Sequence, residues 1–145
     1  MDVAQPPAQA LTGIYTASRR GRRDDRPRAV IPVSSVGAKI TNVKVTHSWT
    51  NGSGPDVFTA SSIPDKENGN FEINVGSGGS DEWSVQWTDG YGQCWFRNNK
   101  QGDIFEEDFR SGKPVNVNLL NGQQGFSVEM PVSSSCTDNF VDKCK

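Results

Sequence analysis

The sequence has a single histidine, three cysteines and no apolar run approaching the roughly 20 residues of a membrane-spanning helix. The last absence excludes a spanning helix, and the opening "MDVAQPPAQA" lacks the apolar core of a signal peptide, so the chain as it stands reads as soluble. One histidine leaves protease-type nucleophilic catalysis a single general base, His47. In "ITNVKVTHSW" it shares the parity of Val43 and Val45, which marks it as a core residue. Without a CxxC pair, and with the histidine far from every cysteine, no zinc site is expected. Hydrophobic residues make up only 33%, too few for a helix bundle, whereas 15 glycines and frequent asparagines suit short strands joined by polar turns.

Basic charge is scarce outside the first 28 residues. Those hold six arginines against three aspartates, and residues 29–145 carry nine basic against fourteen acidic groups. An acidic body argues against nucleic acid as a partner, because phosphate contacts need a basic face. The run "SRRGRRDDRPR" has no interleaved aromatics and reads as part of a solvated tail. Residues 1–29 are expected to be a disordered basic tail, and residues 30–145 one β-domain. The paired basics Arg19-Arg20 and Arg22-Arg23 also resemble processing sites, which would start the mature chain near Pro32. Asn51-Gly52-Ser53 is a glycosylation sequon, so secretion to an extracellular setting is expected.

Alternation of period two runs through the body. Val43, Val45, His47 and Trp49 share one face, with Ile40 out of phase, which predicts a bulge near Thr41-Asn42. "DVFTASSI" (56–63), "NFEINV" (70–75), "EWSVQWT" (82–88), "PVNVNLL" (114–120) and "FSVEM" (126–130) read as further strands. Asp89-Gly90 supplies the positive-φ chemistry of a hairpin turn into "YGQCWF", and "DIFEEDF" (103–109) reads as one helical turn or an irregular crossover. The expected fold is all-β, an antiparallel β-sandwich of seven or eight short strands, with a barrel as the alternative.

Cys136 and Cys144 are spaced to close a small C-terminal loop by a disulfide; the alternative joins Cys94 to one of them. The carboxylates of Asp81, Glu82, Glu106, Glu107 and Asp108 offer pairs for glycoside cleavage. A domain this small rarely builds the deep groove such enzymes use, so no catalytic residue, cofactor or metal is expected. The acidic loops 76–82 and 102–108 lack the ligand order of an EF-hand and read as solvated. Trp83 and Trp87 share parity with Val85 and belong to the core, whereas Tyr91, Trp95 and Phe96 place aromatics on both faces of the returning strand. The candidate ligand contacts are Trp49, Asn51, Asp56, Asp81, Asp89, Tyr91 and Trp95, from loops 50–55, 76–82 and 89–91 at one end of the sandwich.

The segments "ITNVKVTHSW", "DEWSVQWTDGYGQCWF", "FEEDFRSGKPVNVNL" and "PVSSSC" together resemble a group of small secreted β-sandwich proteins of fungi and nematodes. The nematode members are labelled as up-regulated when insulin signalling is reduced, and some similar mushroom proteins are immunomodulatory. A more distant likeness is to the aegerolysins, which bind membranes. The resemblance implies a non-enzymatic recognition or defence protein whose partner is a cell-surface glycan or protein receptor. A membrane lipid partner with cytolytic action and an enzyme inhibitor are the alternatives, and a homodimer is compatible with each.

Overall fold

Period-two alternation is realised along almost every expected strand. In the computed structural model, which describes residues 14–16, 28–49, 55–74, 80–121 and 125–145, eleven strands and one short helix are present. They are β1 (Ile14–Thr16), β2 (Arg28–Val36), β3 (Ile40–Trp49), β4 (Asp56–Ile63), β5 (Asn68–Asn74) and β6 (Asp81–Thr88). After these come β7 (Cys94–Gln101), α1 (Glu106–Arg110), β8 (Asn116–Leu120), β9 (Phe126–Glu129), β10 (Cys136–Asp138) and β11 (Asp142–Lys143).

Two sheets pack face to face. One has five strands in the order β11-β7-β6-β3-β4, all antiparallel. The other has six, in which β2 pairs antiparallel with β5 along its length and parallel with β8 from Val33 to Val36, and β8, β9 and β10 follow antiparallel. Inward residues from both sheets form one core, among them Ile31, Val33, Phe71, Phe126 and Leu119 facing Val45, Trp83, Val85 and Trp87. A fully buried indole removes roughly 150–250 Å² from water, which at about 25 cal/mol per Å² contributes about 4–6 kcal/mol. The sandwich therefore leans heavily on β6.

Eleven strands replace the expected seven or eight. Three of the extra ones, β1, β10 and β11, are two or three residues long, too short for alternation to register. The fourth, β2, was hidden because Pro32 and two consecutive serines interrupt its apolar positions. Part of the expected tail is thus strand: β1 pairs with Arg28–Val30 of β2, and Ala29 is buried.

The bulge expected beside Ile40 is present. Two residues of β3, Asn42 and Val43, stand where β6 offers one, and Asn42 adopts φ 52°. The hairpin after β6 is organised differently from expectation. Its positive φ falls at Gly92 (83°), not Gly90, because Asp89 takes the N–H groups of Tyr91 and Gln93 and wraps the turn around its own carboxylate.

Candidate functional site

The rings of the 81–99 stretch are mostly structural. Trp83 and Trp87 are fully buried and Trp95 is 6% exposed, which removes Trp95 from the candidate ligand contacts. Its indole Nε1–H donates to Asp89 Oδ2 at 2.7 Å, so the same carboxylate that builds the turn also satisfies the indole. Asp89 is therefore a turn organiser with its oxygens consumed, held below the usual carboxylate range; burial opposes this, but the hydrogen bonds from Trp95, Gln93 and Tyr91 outweigh it. Tyr91 stands out at 81% exposure, while Trp49 is partly buried at the end of β3.

Two more candidates, Asp56 and Asp81, belong to a clamp around His47. The imidazole is 1% exposed, with Nδ1 at 3.1 Å from Asp56 Oδ2 and Nε2 at 2.6 Å from Asp81 Oδ1. Trp83 leans on the ring at a centroid distance of 4.7 Å. Asp81 Oδ2 also accepts the Ile104 N–H, and Asp56 accepts the Asn74 N–H. Burial alone would lower the His47 pKa, yet hydrogen bonds and charge from the two carboxylates outweigh it and the net shift is upward. Both nitrogens are committed, so neither is free to take a proton from a substrate. The clamp rivets β4 and β6 to β3 from the inside.

Two of the carboxylates weighed for glycoside cleavage, Asp81 and Asp108, are each committed to hydrogen bonds within the fold. Asp108 is buried and accepts from the N–H groups of Phe105, Val132 and Ser133 and from the Ser133 hydroxyl, which ties α1 to the connection between β9 and β10. Burial works to raise its pKa, and these donors carry it below the ordinary value. Asp81 lies at the start of β6, enclosed with His47.

The candidate loops do not share one end of the sandwich. Loop 76–82 runs into the first residue of β6, and loop 89–91 leaves its last, so they are separated by the length of an eight-residue strand, about 25 Å. Asn51, Val75 and the loop residues 50–54 and 76–79 lie outside the described residues.

The disulfide joins Cys94 to Cys144, not Cys136 to Cys144. Strand β11 pairs with β7 through Lys143↔Trp95 and Asp142↔Phe96, which sets Cys144 against Cys94 with 5.2 Å between their Cα atoms. Cys136 sits on β10 in the other sheet, a buried free thiol packed against Gly102. The short β11 was invisible to spacing arguments, and it decides the pairing.

A different feature emerges on the solvent face of the five-stranded sheet. A shallow depression of about 130 Å³ is lined by Lys44, Thr46, Ser84, Val85, Gln86 and Asn98. Register places Lys44 opposite Gln86 and Thr46 opposite Ser84, two cross-strand pairs on one outward face of β3 and β6. The third wall is made by a bulge in β7. Between the pairs Trp83↔Lys100 and Val85↔Arg97, β6 contributes Ser84 alone and β7 contributes Asn98 and Asn99, the latter at φ 60°. The Asn99 N–H donates to Ser84 Oγ at 3.3 Å, anchoring the bulge to the floor of the depression.

This bulge has a second effect. Arg97 and Lys100, three positions apart, both reach Asp138 Oδ2 of the opposite sheet, at 2.8 and 3.9 Å. Strict alternation would put them on opposite faces. The one extra residue allows Arg97 and Lys100 to turn inward while Asn98 turns outward. The depression thus lies over β6, between two neighbouring strands that each carry a bulge at an asparagine in the left-handed region. Phe96, opposite Gln86 in register, is the half-buried ring on the same face.

Sequence reasoning did not single out the depression, because each of its residues reads as the polar side of an ordinary strand. The break of parity between Arg97 and Lys100 was the available signal, and it lacked an apolar residue to reveal it.

Among the described residues no helix is long and apolar enough to cross a membrane, and no group of His, Cys, Asp and Glu is arranged to hold a metal ion. Compared with known proteins, the chain matches no family model and no curated sequence.

Proposed function

We propose that this chain is a non-enzymatic recognition protein that binds a glycan on the solvent face of its five-stranded sheet. The observation that carries the reading is the depression itself. It offers two carboxamides, two hydroxyls and one ammonium in a shallow concavity. Carboxamides and hydroxyls both donate and accept, which matches the alternating hydroxyl pattern of a sugar. A half-buried Phe96 beside them suits contact with the apolar face of a pyranose. The depression is open and holds no histidine or carboxylate that could transfer a proton, which fits binding rather than turnover.

Two further observations point the same way. A disulfide between Cys94 and Cys144 fits an oxidising, extracellular compartment. The resemblance to small secreted β-sandwich proteins of fungi and nematodes fits a recognition or defence role at a cell surface. A lipid-binding role draws less support, since Trp83, Trp87 and Trp95 are committed to the core and Tyr91 alone of the candidate rings is broadly exposed.

A glycan array probed with the wild-type protein and with a Gln86→Ala/Asn98→Ala double variant tests the proposal. Binding to a subset of glycans, reduced about tenfold or more in the variant at unchanged thermal stability, is the expected result. An array without a reproducible ligand, or equal binding by the variant, counts against it.

A further inference from the structure

We infer that the sugar taken by this depression carries a single anionic group, a carboxylate on a uronic-acid ring, and that Lys44 is its counter-charge. This inference rests on the glycan reading above and sharpens it.

Lys44 is exposed and lines the depression, and no carboxylate shares the lining. Its register neighbours are uncharged: Thr59 on β4 and Gln86 on β6. Among the described residues the ion pairs engage His47, Arg97 and Lys100, and none engages Lys44. The acidic residue on the same face of β6 is Glu82, four positions from Gln86, or about 13 Å along the strand. No ion pair joins Glu82 to Lys44 among the described residues, and at that backbone spacing physiological salt, with a Debye length of roughly 8 Å, screens their attraction. A lysine on a protein surface ordinarily keeps its ammonium in open water. This one faces a concavity furnished with neutral donors instead.

The number of charges sets the ligand class. One cation in the depression accommodates one anionic group, and an acidic chain of net charge −2 repels a dense polyanion. Amide N–H groups of Gln86 and Asn98 and the hydroxyls of Thr46 and Ser84 are donors that a carboxylate accepts from directly, while the neighbouring ring hydroxyls use the same side chains as acceptors. A neutral hexose offers the ammonium hydroxyl acceptors but no counter-charge, and a sulfated polymer would bring more charge than the site offsets.

The test uses two ligands that differ only at the ring carboxylate, methyl glucuronide and methyl glucoside, titrated into the full-length ¹⁵N-labelled protein and followed through the amides of residues 44, 46, 84, 86 and 98. The expected result is tighter binding of the glucuronide by about two- to fivefold, the size an exposed ion pair supplies. That preference should shrink when salt is raised from physiological to several-fold higher. It should vanish in Lys44→Gln, where the two ligands bind alike. Equal binding of both ligands to the wild type overturns the inference and leaves the glycan reading standing. Absence of any shift with either ligand overturns both.

Discussion

Trp83 and Trp87 are equally buried, four residues apart on one strand, yet they differ by one hydrogen bond. The Trp83 Nε1–H donates to the Gly102 carbonyl at 2.9 Å, whereas the Trp87 Nε1 finds no acceptor among the described residues. An unsatisfied buried donor costs about 1–3 kcal/mol, and replacement by phenylalanine removes that cost at Trp87 while creating an orphan carbonyl at Trp83. Urea denaturation should therefore find Trp83→Phe more destabilising than Trp87→Phe by about 1–3 kcal/mol; equal losses would show that the hydrogen bond contributes nothing. His47 makes a second prediction at this scale. Its folded pKa is raised, so the clamp's contribution is fully present below the unfolded value near 6.5 and is lost as pH rises through the folded value. Asp89 and Asp108 have lowered pKa values, so their contribution is present above about pH 4 and is lost as pH falls through their folded values. Stability should peak between about pH 4 and 6.5 and fall on the alkaline side, with His47→Gln flattening that alkaline slope. A stability still rising from pH 6 to 8 would contradict the clamp.

Strands and their irregularities decide where the polar face becomes a site. The bulge in β3 was legible because Ile40 breaks the parity of Val43 and Val45, and an inward apolar residue out of phase has a simple explanation. The bulge in β7 was not legible, because "RNNK" holds no apolar residue whose displacement would reveal it. Its consequence is nevertheless larger, since it directs Asn98 to the depression and lets both Arg97 and Lys100 reach Asp138. Asn99 makes the bulge possible by adopting φ 60°, a region that costs most L-residues about 1–2 kcal/mol and asparagine less. Asn99→Val should lower stability by about 1–2 kcal/mol in thermal or urea melts and weaken ligand binding, whereas Asn99→Gly should retain both. If valine is tolerated with binding intact, the bulge does not shape the site.

At the scale of the whole molecule, alternation and turn chemistry were enough to read an all-β sandwich, and to read Trp83, Trp87 and His47 as core. What escaped were features that depend on partners distant in sequence. Strand β11 is two residues long and acquires meaning only by pairing with β7, which then brings Cys144 to Cys94 across a separation of 50 residues. In the chain-entropy picture a loop of that size stabilises the fold by about 4 kcal/mol. The same remoteness hid the fate of the candidate ligand residues. Asp56 and Asp81 look like loop carboxylates until β3, β4 and β6 are aligned and His47 is found between them. Conversely, Lys44, Ser84, Gln86 and Asn98 look like solvated strand positions until register collects them in one depression. The account's central claim is that this face, and not the aromatic stretch, meets the ligand. Chemical-shift mapping with an array-positive glycan on the ¹⁵N-labelled protein tests it most directly. Perturbations centred on residues 44, 46, 84, 86 and 98, with the indole signals of Trp83, Trp87 and Trp95 unmoved, are the predicted result; perturbations centred on Tyr91 and its turn, or on either loop end of the sandwich, would contradict it.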